Sequence, residues 1–291
     1  MRIQDGNDTV AITLGLNATS LTGSNAADTI TISGNYVAAK KLKSISGLDS
    51  NDTVVIGAET TLNASVINEQ EFKLTAADTH KLKLIADTES INLSKITKTG
   101  GSNTIDISGI RPATSTKVGT GQDITLTKAD QNIVENITIG SVAGTYKVTN
   151  LKVASGLAQD TITLTASDDV AGNTTDFKAV DNPTTIFTTT TTVAKAKIDT
   201  GLLTFQTSSS DAVSVTLAEA LLFLNTGTHT ASTEFAGANK AAVFKAADGK
   251  SYLISTGATK AASDDIAIEL VGVTTLTKLE DAAGVFTVTG A

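Results

Sequence analysis

The chain is most distinctive for the residue types that it lacks. Its 291 residues include no cysteine, no tryptophan, one methionine and two prolines, and aromatic residues make up only 4% of the sequence. The absence of cysteine excludes disulfides and thiol chemistry. With few aromatic side chains, a core must be built from valine, isoleucine, leucine and alanine, which suits the narrow layers between stacked strands.

Positive charge is also scarce. There are 22 basic residues against 30 acidic ones, the net charge is −8, and Arg2 and Arg111 are the only arginines. Nucleic acids and anionic membranes recruit clusters of positive charge, and the sequence contains no such cluster. We therefore predict that nucleic acid is not a partner.

Residue patterns typical of enzymes are missing as well. His80 and His229 are the only histidines, and neither belongs to a His-Glu-x-x-His motif. The Gly-x-Ser-x-Gly motif and phosphate-binding glycine loops are absent. We expect each histidine to be a surface imidazole and predict that the protein is not an enzyme.

What the chain does contain is a repeated phrase, Asp-Thr-[Ile/Val]-x-[Ile/Leu]. β-branched residues at alternating positions make each copy a short, half-buried strand. Neighbouring copies lie 20 or 24 residues apart over much of the first half, a period typical of stacked-repeat folds. The clear copies begin at Asp8, Asp28, Asp52 and Asp160, and the weaker ones at Asn103 and Asp123.

The distribution of these copies predicts three regions. Residues 1–165 carry the repeats, residues 166–210 form an irregular or edge-strand connection, and residues 211–291 form a small β-rich cap. In the cap, the capping box from Thr216 to Glu219 opens one short helix, and Asp248-Gly249 marks a hairpin turn. The predicted fold class is all-β, with a right-handed parallel β-helix or β-solenoid of RTX-like repeats preceding the cap.

Several repeat turns resemble degenerate forms of the calcium-binding nonapeptide of RTX proteins. Calcium prefers oxygen ligands, which turn carbonyls and carboxylates from successive coils can supply. The alternative is that these aspartates and asparagines hydrogen-bond their own turn backbones. The predicted calcium ligands are Asp5, Asp8, Asp28, Asp49, Asp52, Asp123 and Asp160.

The C-terminal part carries a family resemblance. The segment 241–254, with Asp248-Gly249 at its centre, followed by the segment 264–273, is similar to the terminal module of Gram-negative surface-layer (S-layer) proteins secreted by type I systems. The resemblance implies a secreted structural protein that assembles into a calcium-dependent crystalline coat on the cell surface. It also implies an uncleaved C-terminal export signal.

The partners that follow from this resemblance are other copies of the chain, the type I secretion machinery and, through another part of the chain, lipopolysaccharide. The alternative function is a secreted RTX-type adhesin or carbohydrate-binding module. That alternative expects exposed aromatic side chains gathered on one face, and the chain has only the tyrosines Tyr36, Tyr146 and Tyr252.

Overall fold

The computed structural model shows a chain that forms two compact units. Unit 1 comprises Met1–Arg111, Gln122–Thr138 and Leu157–Asp160, and unit 2 comprises the remainder. The structure describes residues 10–37, 42–77, 79–86, 90–100, 103–110, 122–140, 143–154, 159–165, 169–171, 177–180, 183–187, 193–225, 240–256, 265–282 and 284–291.

In its described residues, unit 1 is made of short strands and two short 3-10 helices, Ala64–Val66 and Ala129–Gln131. Its last strand ends at Ile139, one residue beyond the unit 1 boundary. The strands are β1 (Ala11–Thr13), β2 (Ser20–Thr22), β3 (Thr29–Asn35), β4 (Ser44–Ser46), β5 (Thr53–Asn63), β6 (Phe72–Ala76), β7 (Lys81–Ile85), β8 (Ile91–Asn92), β9 (Ile96–Gly100), β10 (Thr104–Ile110), β11 (Asp123–Thr125) and β12 (Val134–Ile139).

Strands of successive repeats pair in parallel. The main sheet of the unit has the order β1-β3-β5-β7-β10-β12. The long strand β5 pairs with β6 through its first half and with β7 through its second half, and β6 pairs with β9. Two further parallel pairs, β2 with β4 and β8 with β11, lie outside this sheet order.

The register aligns the apolar positions of the repeats in one row. Ile12 lies opposite Ile30, Ile30 opposite Val54, and Val54 opposite Leu74. These four side chains are no more than 9% exposed, whereas the residues immediately before and after each of them on its own strand are half-buried or exposed. Alternation along each strand therefore places one aliphatic row in the core and one polar row outside.

Unit 2 contains both helices and a mixture of parallel and antiparallel pairs. The helices are α1 (Pro183–Ile186) and α2 (Leu217–Asn225). The strands are β13 (Gly144–Thr149), β14 (Thr161–Leu164), β15 (Asp169–Val170), β16 (Lys178–Ala179), β17 (Lys195–Asp199), β18 (Leu202–Gln206), β19 (Ala212–Val213), β20 (Lys240–Lys245), β21 (Ser251–Ser255), β22 (Ile266–Val271), β23 (Leu276–Ala282) and β24 (Val285–Gly290).

Most neighbouring strands in unit 2 run in opposite directions. The larger sheet has the order β16-β17-β18-β20-β21-β22-β13, and β14-β24-β23 forms a second group. The Asp248-Gly249 turn joins the antiparallel strands β20 and β21, as the sequence predicts. Gly249 has a φ of +82°, a conformation that glycine adopts without steric cost.

The core of unit 2 uses the aromatic residues that unit 1 has in small number. Phe187, Phe205 and Phe223 form a cluster with ring centroids 5.3–6.4 Å apart. Phe223 comes from α2, so the helix is held by its aromatic contacts with Phe205 of β18 and with Phe187, the residue that follows α1. This packing explains why a helix of nine residues persists, since isolated helices of that length are marginal in water.

The prediction of an all-β fold is confirmed, since strands account for 53% of the described residues. In the described residues α2 is the one helix longer than a single turn. Residues 195–206 differ from the expected irregular or edge-strand connection. They form the β17–β18 hairpin, and β18 also pairs with β19 and β20, because Ile198, Leu203 and Phe205 alternate inward.

Among the described residues, neither helix has the length or the apolar character that crossing a bilayer requires.

The capping box of α2 is formed as predicted. The Glu219 carboxylate accepts hydrogen bonds from the Thr216 N–H at 2.8 Å and the Thr216 hydroxyl at 2.9 Å, and the Glu219 N–H donates to that hydroxyl oxygen at 3.3 Å. Thr216→Ala should lower the free energy of unfolding by about 1 kcal/mol, because it removes the N-cap. Chemical denaturation followed by circular dichroism measures this change.

Ser208→Ala is the matched control for this experiment. Ser208 is exposed in a turn of the same unit, and its replacement should change stability by less than about 0.5 kcal/mol. Equal effects of the two substitutions would show that the capping box does not stabilise α2.

Candidate calcium sites and the corner ladder

The predicted calcium ligands Asp28, Asp52 and Asp160 occupy one structural position. Each is the residue immediately before a strand, at the corner where a turn enters the sheet. Three other polar residues that are buried or half-buried also stand immediately before strands, and each bonds a backbone carbonyl of another repeat. We call this set the corner ladder, and its members are Asp28, Asp52, His80, Asn103, Gln122 and Asp160, all in unit 1.

The acidic members of the corner ladder accept hydrogen bonds from the backbone of the preceding repeat. The N–H of Asp28 donates to Asp52 Oδ1 at 2.7 Å, and the N–H of Val10 donates to Asp28 Oδ1 at 3.3 Å. The N–H of Glu135 donates to Asp160 Oδ1 at 2.8 Å. Each aspartate thus joins its own repeat to the one before it in the chain.

The second carboxylate oxygen of Asp28 and of Asp52 binds its own turn. Asp52 Oδ2 accepts the N–H of Asp49 at 2.7 Å. Asp28 Oδ2 accepts both the N–H and the hydroxyl of Ser24, each at 3.0 Å. Both carboxylates are at most 1% exposed, so these bonds replace the water that the two oxygens would otherwise bind.

The remaining members donate to backbone carbonyls instead. Asn103 Nδ2 donates to the Leu74 carbonyl at 3.2 Å, and Gln122 Nε2 donates to the Ala86 carbonyl at 3.1 Å. His80 is half-buried rather than a surface imidazole, and its Nδ1 lies 2.9 Å from the Ile56 carbonyl. Because a carbonyl only accepts, Nδ1 must carry the proton.

A second buried carboxylate extends this arrangement. Glu135 is fully buried, and its Oε1 accepts the N–H of Thr127 at 3.0 Å and also the Thr127 hydroxyl. Its backbone N–H is the one that Asp160 accepts. At this corner Asp160 therefore binds the backbone of Glu135, and the Glu135 side chain in turn binds Thr127.

Burial raises the pKa of the Asp52 carboxyl. The N–H donors of Asp28 and Asp49 favour the ionised form and act in the opposite direction, but they do not cancel the loss of solvent. The charges of Asp49 and Asp28 raise the pKa further.

Asp49 and Asp123 do not share the position of the buried aspartates. Asp5 and Asp8 lie outside the described residues. Asp49 is half-buried, and its Oδ1 accepts the N–H of Asn51 at 2.7 Å, which closes a local turn. Asp123 is exposed. Over the described ranges, no three acidic, histidine or cysteine side chains gather as a group that could hold a metal ion.

For Asp28 and Asp52, the structure shows the alternative interpretation of the sequence, in which the carboxylates bind backbone groups. The sequence interpretation missed that the partner belongs partly to the preceding repeat, and it missed His80, Asn103 and Gln122. The position immediately before a strand was the available signal, since Asn103 begins one of the weaker copies of the repeat phrase.

Comparison with protein-family models, curated proteins and solved structures gives no match for this chain.

The corner ladder predicts a large effect of Asp52→Ala. The substitution leaves the buried N–H of Asp28 and the half-buried N–H of Asp49 without their acceptor, and an unsatisfied buried donor costs about 1–3 kcal/mol. The substitution also removes the cost of burying the Asp52 charge, which offsets part of the loss. We therefore expect a net decrease of about 2 kcal/mol in the free energy of unfolding. Urea denaturation measures the loss.

Asp123→Ala is the control, because Asp123 is the first residue of β11 rather than a ladder residue, and its side chain is exposed. It should alter stability by less than about 0.5 kcal/mol. A loss at Asp123 as large as that at Asp52 would contradict a special role for the corner ladder.

The raised pKa of Asp52 gives a separate prediction. The native state binds this proton more tightly than the unfolded chain does, so the contribution of Asp52 to the free energy of unfolding increases as the pH falls through its raised pKa. A carbon-13 NMR titration of the Asp52 carboxyl should give a pKa above that of a free aspartate. A value at or below the free one would show that the backbone donors outweigh burial.

Proposed function

We propose that this protein is a structural surface-layer protein that assembles into a two-dimensional lattice on the bacterial cell surface. The observation that carries the proposal is the regularity of unit 1. Its repeats align in register, with an aliphatic row on one side of the strands and a polar row on the other. A surface that repeats along one direction offers identical contacts to neighbouring copies, which is what lateral assembly requires.

Within this proposal, unit 1 is a right-handed parallel β-helix. Three consecutive pairings, β1 with β3, β3 with β5 and β5 with β6, join residues 18 to 26 positions apart in the chain, as one turn of a coil would. Connections between parallel strands of one sheet are right-handed in almost all proteins. The mixed pairing of unit 2 belongs to the cap and not to the coil.

The outer face of β5, β7 and β10 supports lateral contact between copies. Lys83 forms an ion pair with Glu59 at 2.7 Å, and Lys81 pairs with Asp106 at 3.5 Å. Such exposed pairs add little to folding stability. A strand face that alternates both signs of charge is instead suited to binding another such face with the charges offset.

The segments that resemble the terminal module of surface-layer proteins form the centre of unit 2. They contain β20, β21 and β22, which pair as consecutive antiparallel strands. We assign to this module the contact with the type I secretion machinery, and we assign the protein to the cell surface. Anchoring to lipopolysaccharide through another part of the chain completes the proposal.

The adhesin or carbohydrate-binding alternative has less support. Sugar rings stack on exposed aromatic side chains, but Tyr36, Tyr146 and Tyr252 are 0–5% exposed. Tyr36 in addition donates its hydroxyl to the Leu14 carbonyl at 2.8 Å, inside unit 1. The three tyrosines therefore serve as core residues and provide no aromatic platform.

Electron microscopy of the purified chain tests the lattice. We expect ordered sheets at high protein concentration, and we expect the double substitution Lys81→Glu with Lys83→Glu to abolish them, because it removes one sign of charge from the outer face. Lys128→Glu is the control, since Lys128 is exposed beside the short 3-10 helix 129–131 and lies off this face.

A monomeric wild-type chain under all conditions tested would contradict the surface-layer proposal. Sheets that survive the double substitution unchanged would show that the lattice uses another face.

A further inference from the structure

We propose that the corner ladder takes the place of calcium in unit 1, and that the backbone group presented by the partner repeat, rather than a metal ion, selects the side chain at each ladder position. The inference concerns how the repeats are joined and does not depend on the surface-layer function.

The chemical type of each ladder side chain matches its backbone partner. The aspartates at positions 28, 52 and 160 each accept an N–H group from the preceding repeat. Asn103, Gln122 and His80 each face a carbonyl and donate to it. An ionised carboxylate cannot donate to a carbonyl, so an aspartate cannot take over the hydrogen bond that Asn103, Gln122 or His80 makes at its position.

A calcium ion does not fit the aspartates of this ladder. Calcium binds six to eight oxygen atoms at about 2.3–2.6 Å. Both oxygens of Asp28 and both oxygens of Asp52 already accept N–H or O–H groups, whose positive ends would face an ion placed there. An ion would have to displace these donors and leave buried N–H groups unsatisfied.

The amide members of the ladder occupy carbonyl oxygens that an ion would need as ligands. Asn103 and Gln122 direct their NH₂ groups at carbonyls of other repeats. Those carbonyls belong to Leu74, within β6, and to Ala86, which follows β7, and a carbonyl oxygen is a type of ligand that calcium accepts. Here a side-chain N–H binds each of them instead.

The first test compares Asp52→Ala with the wild-type chain in millimolar calcium and in excess chelator. The proposal predicts that Asp52→Ala lowers the melting temperature by about 3–6 °C, which is the expected effect of losing the acceptor of one buried and one half-buried N–H in a protein of this size. It also predicts the same difference between the two chains with and without calcium. A difference that disappears when calcium is removed would overturn the proposal.

Because the comparison uses a difference, calcium binding elsewhere in the chain does not disturb it. An ion at another position would raise the melting temperature of both chains equally. Only an ion that binds at Asp52 couples the substitution to calcium.

The second test reverses the chemical type of a ladder residue. Asn103→Asp is nearly isosteric and would place a carboxylate against the Leu74 carbonyl, so we expect a lower melting temperature that calcium does not restore. Asn136→Asp is the matched control, because Asn136 lies half-buried on the outer face, where its amide binds the Asp106 carboxylate at 2.7 Å.

The control also distinguishes an ion site from the ladder. The Asn136→Asp substitution creates a pair of neighbouring carboxylates, so calcium should raise its melting temperature more than that of Asn103→Asp. Recovery of Asn103→Asp to wild-type stability in calcium would show that the corner accepts an ion, and it would overturn the proposal.

Discussion

The structure of unit 1 depends on one requirement, that the backbone N–H and C=O groups at the corners of stacked repeats find partners once they are buried. Within a strand the sheet supplies these partners, but a chain that turns loses them. The corner ladder restores them with side chains placed immediately before six of the strands. Since an unsatisfied buried donor costs as much as a sizeable part of the net stability of a domain, the ladder positions are constrained more tightly than their surroundings.

This requirement explains the repeat phrase. In the copies that begin at Asp28, Asp52 and Asp160, the aspartate joins its turn to the preceding repeat, and the β-branched residues that follow form the strand. Ile30 and Val54, two residues after Asp28 and Asp52, pair side by side and belong to the buried aliphatic row. Aliphatic side chains suffice in this row because the space between paired strands is narrow. The ladder and the aliphatic row are therefore two consequences of one register.

Unit 2 meets the same requirement by different means. Its strands run mainly antiparallel, so tight turns such as Asp248-Gly249 bring paired groups together without long connections. Its helix satisfies its first N–H groups through Glu219 and Thr216, and Phe223 holds it against Phe187 and Phe205. A core that contains aromatic residues can be wider than the row of aliphatic residues in unit 1.

The sequence predicted what local patterns control. Alternation placed the strands at Asp28, Asp52 and Asp160, and the capping box placed α2, because both patterns act within a few residues. It could not show that Asp52 binds the N–H of Asp28, since that contact depends on the register between residues 24 positions apart. The sequence also did not indicate the hairpin of β17 and β18. The outward Lys and Thr residues of these strands obscure the apolar pattern of the inward residues Ile198 and Phe205.

Hydrogen exchange measured by NMR tests most directly whether side chains of neighbouring repeats satisfy the corner backbone. The amides of Asp28 and Glu135 donate to buried carboxylates of Asp52 and Asp160, so they should exchange only when unit 1 unfolds. Their exchange free energies should equal those of the strand amides. Exchange as fast as that of the exposed Asn51 amide would show that these bonds do not form and would contradict the corner ladder.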